Sequence, residues 1–301
     1  MARLLFDRGA RGQAIEDIQT GLGFAERDVD GSYGGQTRQG VAGFQATSAL
    51  PQTGQVDDVT WERLLHKAIP PIFERCLALT AAFEGHGFSL AQGNFDGAGI
   101  TWGIIGFTLK HGELAKIVLA IENTRPDLVR LAFDDHTNQL LDVLASPLQK
   151  QLAFANSVSI GPSKVRLAEP WRRGFDLFGK LREVRLEQLA RAREDYFDAA
   201  EETAQAFNLM SELGIALAFD VHVQNGGIKR TAASQIRRAG TPANEAELRL
   251  IVADAVADNA RAEFRKDVRA RKRAIAEQSG LVHGELFTLS HWGLSERRGI
   301  G

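Results

Sequence analysis

The chain has 301 residues, of which 44% are hydrophobic and 25% charged, with a formal net charge of −2 and one cysteine. That balance excludes a mainly disordered chain, gives no global attraction to nucleic acid or to an anionic membrane, and rules out an intramolecular disulfide or a cysteine zinc cluster. No apolar stretch approaches the roughly 20 residues of a membrane helix. The run Leu4, Leu5, Phe6 in the opening MARLLFDRGARGQ is far shorter than the core of an export signal, about 7 to 15 residues.

Residues 1 to about 67 carry helical runs over 13–22, 36–46 and 57–66, each with apolar residues at helical spacing and separated by glycine-marked turns. The punctuation is duplicated, since DGSYGGQT and TGQVDDVTW each set a glycine turn and small polar residues before a helix start. Three stretches carry a resemblance to a known domain: Arg11, Gly12, Ile15, Ile18 and Gln19; then Asp30, Gly31, Ser32, Tyr33, Gly34, Thr37, Val41, Phe44 and Gln45; then Gly54, Val56, Thr60, Trp61, Leu64 and Leu65. In this order they resemble the peptidoglycan-binding domain found at one end of many cell-wall hydrolases, which implies a wall-targeting module. Phe44, Trp61 and the leucines read as core. Asp30, Ser32, Tyr33 and Thr37 read as exposed candidates for ligand contact around the first turn.

Pro70 and Pro71 suit the first turn of a new helix, where a missing amide hydrogen costs nothing. The boundary is placed there, giving a peptidoglycan-binding domain over 1–68 and a catalytic domain over 69–301. Cys76, among Ile72, Phe73, Leu77 and Leu79, reads as a buried structural thiol. Downstream, ELAKIVLAIE, LVRLAF, PLQKQLAFANSV, one long run over 184–224 and another over 244–278 recur at three and four residues and predict helices. Only the glycine-rich region from Phe88 to Phe107 favours a hairpin or small irregular sheet. The expected class is mainly α with one short β wing.

The chemistry concentrates in AFEGHGFSLAQGNFDGAGITWGIIGF, residues 82–107. Breaking a glycosidic bond needs a proton for the leaving oxygen and a nucleophile or activated water at the anomeric carbon, so two carboxyl groups in different environments are the usual solution. Glu84 ends an apolar helical run, where the negative end of the helix dipole and partial desolvation disfavour the anion, the character of a general acid. Asp96 lies in a glycine-rich loop reachable by water, which suits a general base, and the Thr101 hydroxyl can share a water with it.

From about Leu77 onward the chain resembles the lysozyme-superfamily glycosidases, specifically the chitosanase-like, family 46-like branch. The resemblance rests on Ala82 and Glu84, on Asp96, Gly97, Gly99 and Thr101, on Gly103 to Phe107 with Gly112 and Glu113, and on a later block from Tyr196 through Asp220 to Ala232. It implies a lysozyme-like α+β catalytic domain in which Glu84 is the acid, Asp96 activates water and Thr101 positions that water in an inverting displacement. It also implies that Glu113 binds sugar and that Asp220 belongs to a buried arginine network orienting Glu84. Arg261, the first of an arginine stripe with Arg265, Arg269 and Arg273, is the candidate partner for Asp220, with a solvated face as the alternative reading of that stripe. His86 and His111 are candidates for substrate contact, His222 reads as a satisfied core or rim histidine, and no spacing supports a metal. No cofactor is expected.

The chitosanase form of the wing has an arginine and a tyrosine where this chain has Ala98 and Ile100, so the sugar subsites differ. A wall-binding module raises the effective concentration of a hydrolase on that same polymer. The expectation is therefore an endolysin-like muramidase acting on peptidoglycan, monomeric, with no nucleic-acid partner and no stable membrane insertion, made without an export signal and released by phage lysis or injection. Chitosanase, lytic transglycosylase and a catalytically silent wall binder are the alternatives. The tail from Ser295, SERRGIG, reads as a frayed end, with contact of its basic charge with outer-membrane lipid as the alternative.

Overall fold

The computed structural model describes residues 2–85 and 87–299. The chain forms two compact units, one combining the residues up to Phe83 with those from Tyr196 onward, the other comprising Glu84–Asp195. The first unit therefore runs through the sequence boundary near residue 68 without a break.

The N-terminal module consists of β1 (Leu4–Phe6), α1 (Gln13–Gly21), α2 (Gly35–Thr47), β2 (Val56–Asp57) and α3 (Asp58–Leu65), with β1 antiparallel to β2. Ile15, Ile18, Val41, Phe6 and Trp61 form its core. The duplicated punctuation has a structural cause. The buried Gln19 accepts from Gly31 N at 2.9 Å and donates to Thr37 Oγ1 at 3.1 Å, and the buried Gln45 accepts from Gly54 N at 2.9 Å and donates to Thr60 Oγ1 at 3.1 Å. Gly31 and Gly54 both sit at φ +67°, a conformation open to glycine at little cost. Each buried amide thus satisfies the turn that precedes a helix.

Next comes α4 (Ile72–Glu84). Pro71 O accepts from Arg75 N at 3.3 Å, so the prolines stand just before the first turn of this helix rather than inside it. Cys76 is buried, and that burial pushes its thiol well above the usual range, consistent with a structural role.

The second unit opens with β3 (Ala91–Gln92), β4 (Thr101–Trp102) and β5 (Phe107–Thr108), an antiparallel sheet in that order. It continues with α5 (Glu113–Thr124), α6 (Pro126–Phe133), α7 (Thr137–Leu144), α8 (Leu148–Val158), the hairpin of β6 (Ser159–Ile160) and β7 (Arg166–Leu167), α9 (Trp171–Lys180) and α10 (Arg182–Ala192). Trp102 stacks on Phe178 with centroids 5.6 Å apart, and Phe133 meets Phe175 edge-on at 5.1 Å, so the wing is anchored by an aromatic core.

The chain returns to the first unit through α11 (Asp198–Ala206), α12 (Glu212–Asn225), α13 (Arg230–Arg238), α14 (Glu245–Asp258), α15 (Arg265–Ala276) and a hairpin of β8 (Ser279–Val282) and β9 (Glu285–Thr288). The long helix expected over 184–224 is broken twice, by a widened turn at Arg193–Phe197 and by a loop in which Asn208 takes φ +58° and the Ser211 hydroxyl caps Gly214 N at 3.0 Å. The run over 244–278 is likewise split, between α14 and α15. Among the described residues no helix is long and apolar enough to cross a membrane.

The C-terminal tail is not frayed up to Gly299. Glu212 N donates to Arg297 O at 2.8 Å, Gly299 N to Met210 O at 2.9 Å, and the fully buried Arg249 donates to Glu296 at 2.9 Å. Glu212 gathers Arg3, Arg75 (2.9 Å) and the Ser295 hydroxyl (2.9 Å) in a buried junction, while Arg75 also donates to Pro70 O at 3.0 Å and to Gly293 O. Replacing Glu212 with Ala leaves Arg75 charged and buried. The substitution should cost about 3–5 kcal/mol, read as a lowered midpoint in urea denaturation.

Candidate active site

The wing is built by glycines and side chains that fix its turns. Gly103 sits at φ +90°, and a Cβ there would lie 2.5 Å from Gln188 Oε1. That fully buried glutamine accepts from Ile104 N at 3.0 Å and donates to Phe88 O at 2.9 Å. Side chains alternate along β4, so Trp102, whose indole donates to Phe175 O at 3.0 Å, enters the core while Thr101 takes the other face.

Asp96 is exposed at the turn between β3 and β4, and its Oδ1 accepts from Ala98 N at 2.9 Å. Thr101 is buried, and its hydroxyl finds no hydrogen-bond partner among the described residues. Buried polar atoms are ordinarily hydrogen-bonded, so this hydroxyl stands out. Thr101 pairs across the sheet with Thr108. Glu113, buried at the start of α5, accepts from Thr108 N at 3.0 Å, and His111 Nδ1 lies 2.9 Å from Thr108 Oγ1. The structure therefore brings Thr101, Thr108, His111 and Glu113 together on one side of the wing, with Glu113 closing the turn into α5. Ala98 and Ile100 are buried, leaving no polar side chain at those positions.

Glu84 is the half-buried last residue of α4, and Gly85 at φ +66° stops the helix behind it. The direction of that last turn is set from within the first unit. Thr80 Oγ1 donates to Asp220 Oδ1 at 3.1 Å, and the Arg271 guanidinium lies 5.1 Å from the Phe83 ring centroid. Asp220, fully buried on α12, accepts from Arg271 Nη2 at 2.6 Å and from Lys272 Nζ, which also donates to its main-chain oxygen at 3.0 Å. Burial opposes its charge, but Arg271 and Lys272 outweigh that and hold the carboxyl below the ordinary carboxylate range.

Arg261 is not the partner of Asp220. Its side chain is 77% exposed, lying near Glu263 and over the Phe264 ring. Arg269 and Arg273 of the same stripe pair with Asp254 on α14, at 2.7 Å each. Arg271 and Lys272 were legible in another way, for with Val268 and Ile275 they occupy the buried face of α15 at helical spacing.

In the N-terminal module, Asp30 is exposed and its Oδ1 accepts from Ser32 N at 2.8 Å and Gln19 Nε2 at 2.7 Å. The expectation that Tyr33 and Thr37 are exposed is corrected. Both are buried, Tyr33 because its hydroxyl donates to Gly54 O at 2.9 Å and Thr37 because it completes the Gln19 clamp. His222 is half-buried and within 2.8 Å of Thr203 Oγ1. His86 lies outside the described residues. Among the described residues no cluster of three or more His, Cys, Asp and Glu side chains is placed to hold a metal ion.

Residues 11–64 match a family model described as "Putative peptidoglycan binding domain". No curated protein sequence matches the chain. Among solved structures, a GH46 chitosanase from Gynuella sunshinyii in complex with chitotetraose superposes with a TM-score of 0.54 at 18% identity, over 73% of this chain and 98% of that one. The fold is that of the GH46 chitosanases. A mutant chitosanase from Bacillus subtilis MY002 complexed with 6 GlcN (TM-score 0.51, 19% identity, 70% of this chain and 89% of that one) and the native enzyme (0.50, 17%, 70% and 89%) share it. The expected class, mainly α with a wall-binding helical module followed by a lysozyme-like domain and a short β wing, agrees with this chitosanase fold.

Asp220→Ala leaves Arg271 and Lys272 buried without their anion and should cost about 3–5 kcal/mol by urea denaturation. The pH dependence follows from the lowered folded value. The unfolded carboxyl takes its proton near 3.8 and the folded one only in stronger acid, so the stabilisation is complete well above about pH 4 and is lost as pH falls through the folded value. Acid titration of stability in wild type should contain this component, and Asp220→Asn should lack it.

Proposed function

We propose that this chain is a peptidoglycan glycan-strand hydrolase of muramidase type, with Glu84 as general acid and Asp96 as general base. A chitosanase fold joined to a peptidoglycan-binding sequence supports a glycoside hydrolase acting on a glycan polymer. The wing is the observation that carries the reaction. It presents an exposed Asp96 and, five residues on in the same turn and strand, a buried threonine hydroxyl that finds no partner among the described residues. In the proposed step a water held by Thr101 gives a proton to Asp96 as its oxygen bonds to the anomeric carbon from the face opposite the leaving group. Glu84 delivers its proton to the departing glycosidic oxygen. The product is a reducing sugar of inverted configuration.

Peptidoglycan is preferred as substrate because a wall-binding module raises the local concentration of that polymer. The second reading, chitosanase, is favoured by the sugars bound in the solved structures, chitotetraose and 6 GlcN. The apolar, buried Ala98 and Ile100 weigh against it, because they leave no charged or hydroxyl group there for an amino sugar.

Mass spectrometry of wall and chitosan digests separates the readings. Reducing muramic ends support muramidase action, anhydro ends a transglycosylase, and glucosamine oligomers from chitosan with intact wall a chitosanase. Glu84→Gln and Asp96→Asn should each lower kcat by about 10²–10⁴-fold while both variants still sediment with purified wall. Thr101→Val should leave stability within about 1 kcal/mol of wild type, because the hydroxyl it removes has no partner among the described residues, yet slow cleavage. Wild type that binds wall and releases no fragment would make the chain a silent binder.

A further inference from the structure

We propose that Phe95 is a sugar-stacking platform of the cleavage site, holding the apolar face of a pyranose ring beside Asp96. The inference rests on the assignment of Asp96 above and deepens it. Phe95 is 46% exposed and makes no aromatic or guanidinium contact among the described residues, whereas the other exposed phenylalanine, Phe264, lies under Arg261. A lone exposed phenylalanine needs no explanation in a mobile loop. This segment is fastened at each step. Gly93 N donates to Val165 O at 2.7 Å, Asn94 N to Ser159 Oγ at 2.8 Å, Phe95 N to Gly93 O at 2.9 Å, and Gly99 N to Asn94 Oδ1 at 2.9 Å.

The base of the segment is closed to side chains, since a Cβ on Gly93 would lie 2.4 Å from Lys164 O. Beyond Asp96 it is open, because a Cβ on Gly97 would meet nothing within 4 Å. An apolar side chain thus stands exposed on a fastened backbone, one residue before the carboxylate assigned as base, and the backbone just beyond that carboxylate is open. The faces of a pyranose carry patches of polarised C–H bonds that complement the negative face of an aromatic ring. A phenyl group with few torsions also loses little conformational freedom on contact.

All four tryptophans, Trp61, Trp102, Trp171 and Trp292, are buried, so Phe95→Trp introduces a single solvent-exposed indole. In a Glu84→Gln background, where turnover is slow, titration with peptidoglycan glycan strands stripped of peptide stems, or with glucosamine hexamer, should shift emission to the blue and reduce iodide quenching. In the active background Phe95→Ala should raise KM roughly tenfold with kcat within about twofold, Phe95→Trp should restore KM, and the thermal midpoints should match wild type. Emission that does not move under a strand the enzyme cleaves, or a Phe95→Ala variant with wild-type KM, overturns the platform. An indole that responds to glycan in a protein whose wild type cleaves neither polymer sinks the reaction and leaves the platform standing. Silence in both measurements sinks both.

Discussion

The buried charge of Asp220 is the constraint on which the helical body depends. A lone carboxylate in that interior is too costly to keep, so α15 has to bring Arg271 and Lys272 inward on a face that would otherwise be apolar. Thr80 spends its hydroxyl on the same oxygen that receives Arg271, which locks α4 to α12 one turn before Glu84. Removing any member leaves the others unsatisfied, so the cluster fixes the relative register of α4, α12 and α15 more sharply than apolar packing, which tolerates sliding.

The wing obtains its rigidity by other means. Its strands have two residues each, too few to hold a sheet together by ladder bonds alone. Gln188 inside the β4–β5 turn, the Trp102 indole on Phe175 and the Ser159 and Asn94 bonds do that work from neighbouring elements. Side chains on this short loop are thereby placed by bonds from outside its own strands.

The N-terminal module is held within its unit by the Glu212 junction and by β1 packing near Leu289–Trp292, where Gly293 lets Leu5 O approach to 3.1 Å of where a Cβ would stand. Its two glutamine clamps show how one small device, used twice, organises a module of three short helices. In both, the cost of a buried amide is offset by saturating its donors and acceptor on a single glycine turn.

The sequence by itself determined the helical character, the short wing, the three-helix module and the placement of Glu84 at a helix end, because these depend on local periodicity, glycine positions and capping within a few residues. It was silent or misleading where a side chain's role depends on what another element brings to it. Tyr33 and Thr37 look like surface polar residues until Gly54 and Gln19 enclose them. Arg261 looks like a partner for Asp220 until it falls in the exposed segment before α15 while that helix turns Arg271 inward, and the last residues look loose until Met210 and Arg249 receive them. Only the tertiary structure decided these, because burial and charge pairing are properties of contacts made across long separations in the chain, and residue type alone fixes the demand for a partner without saying which partner meets it.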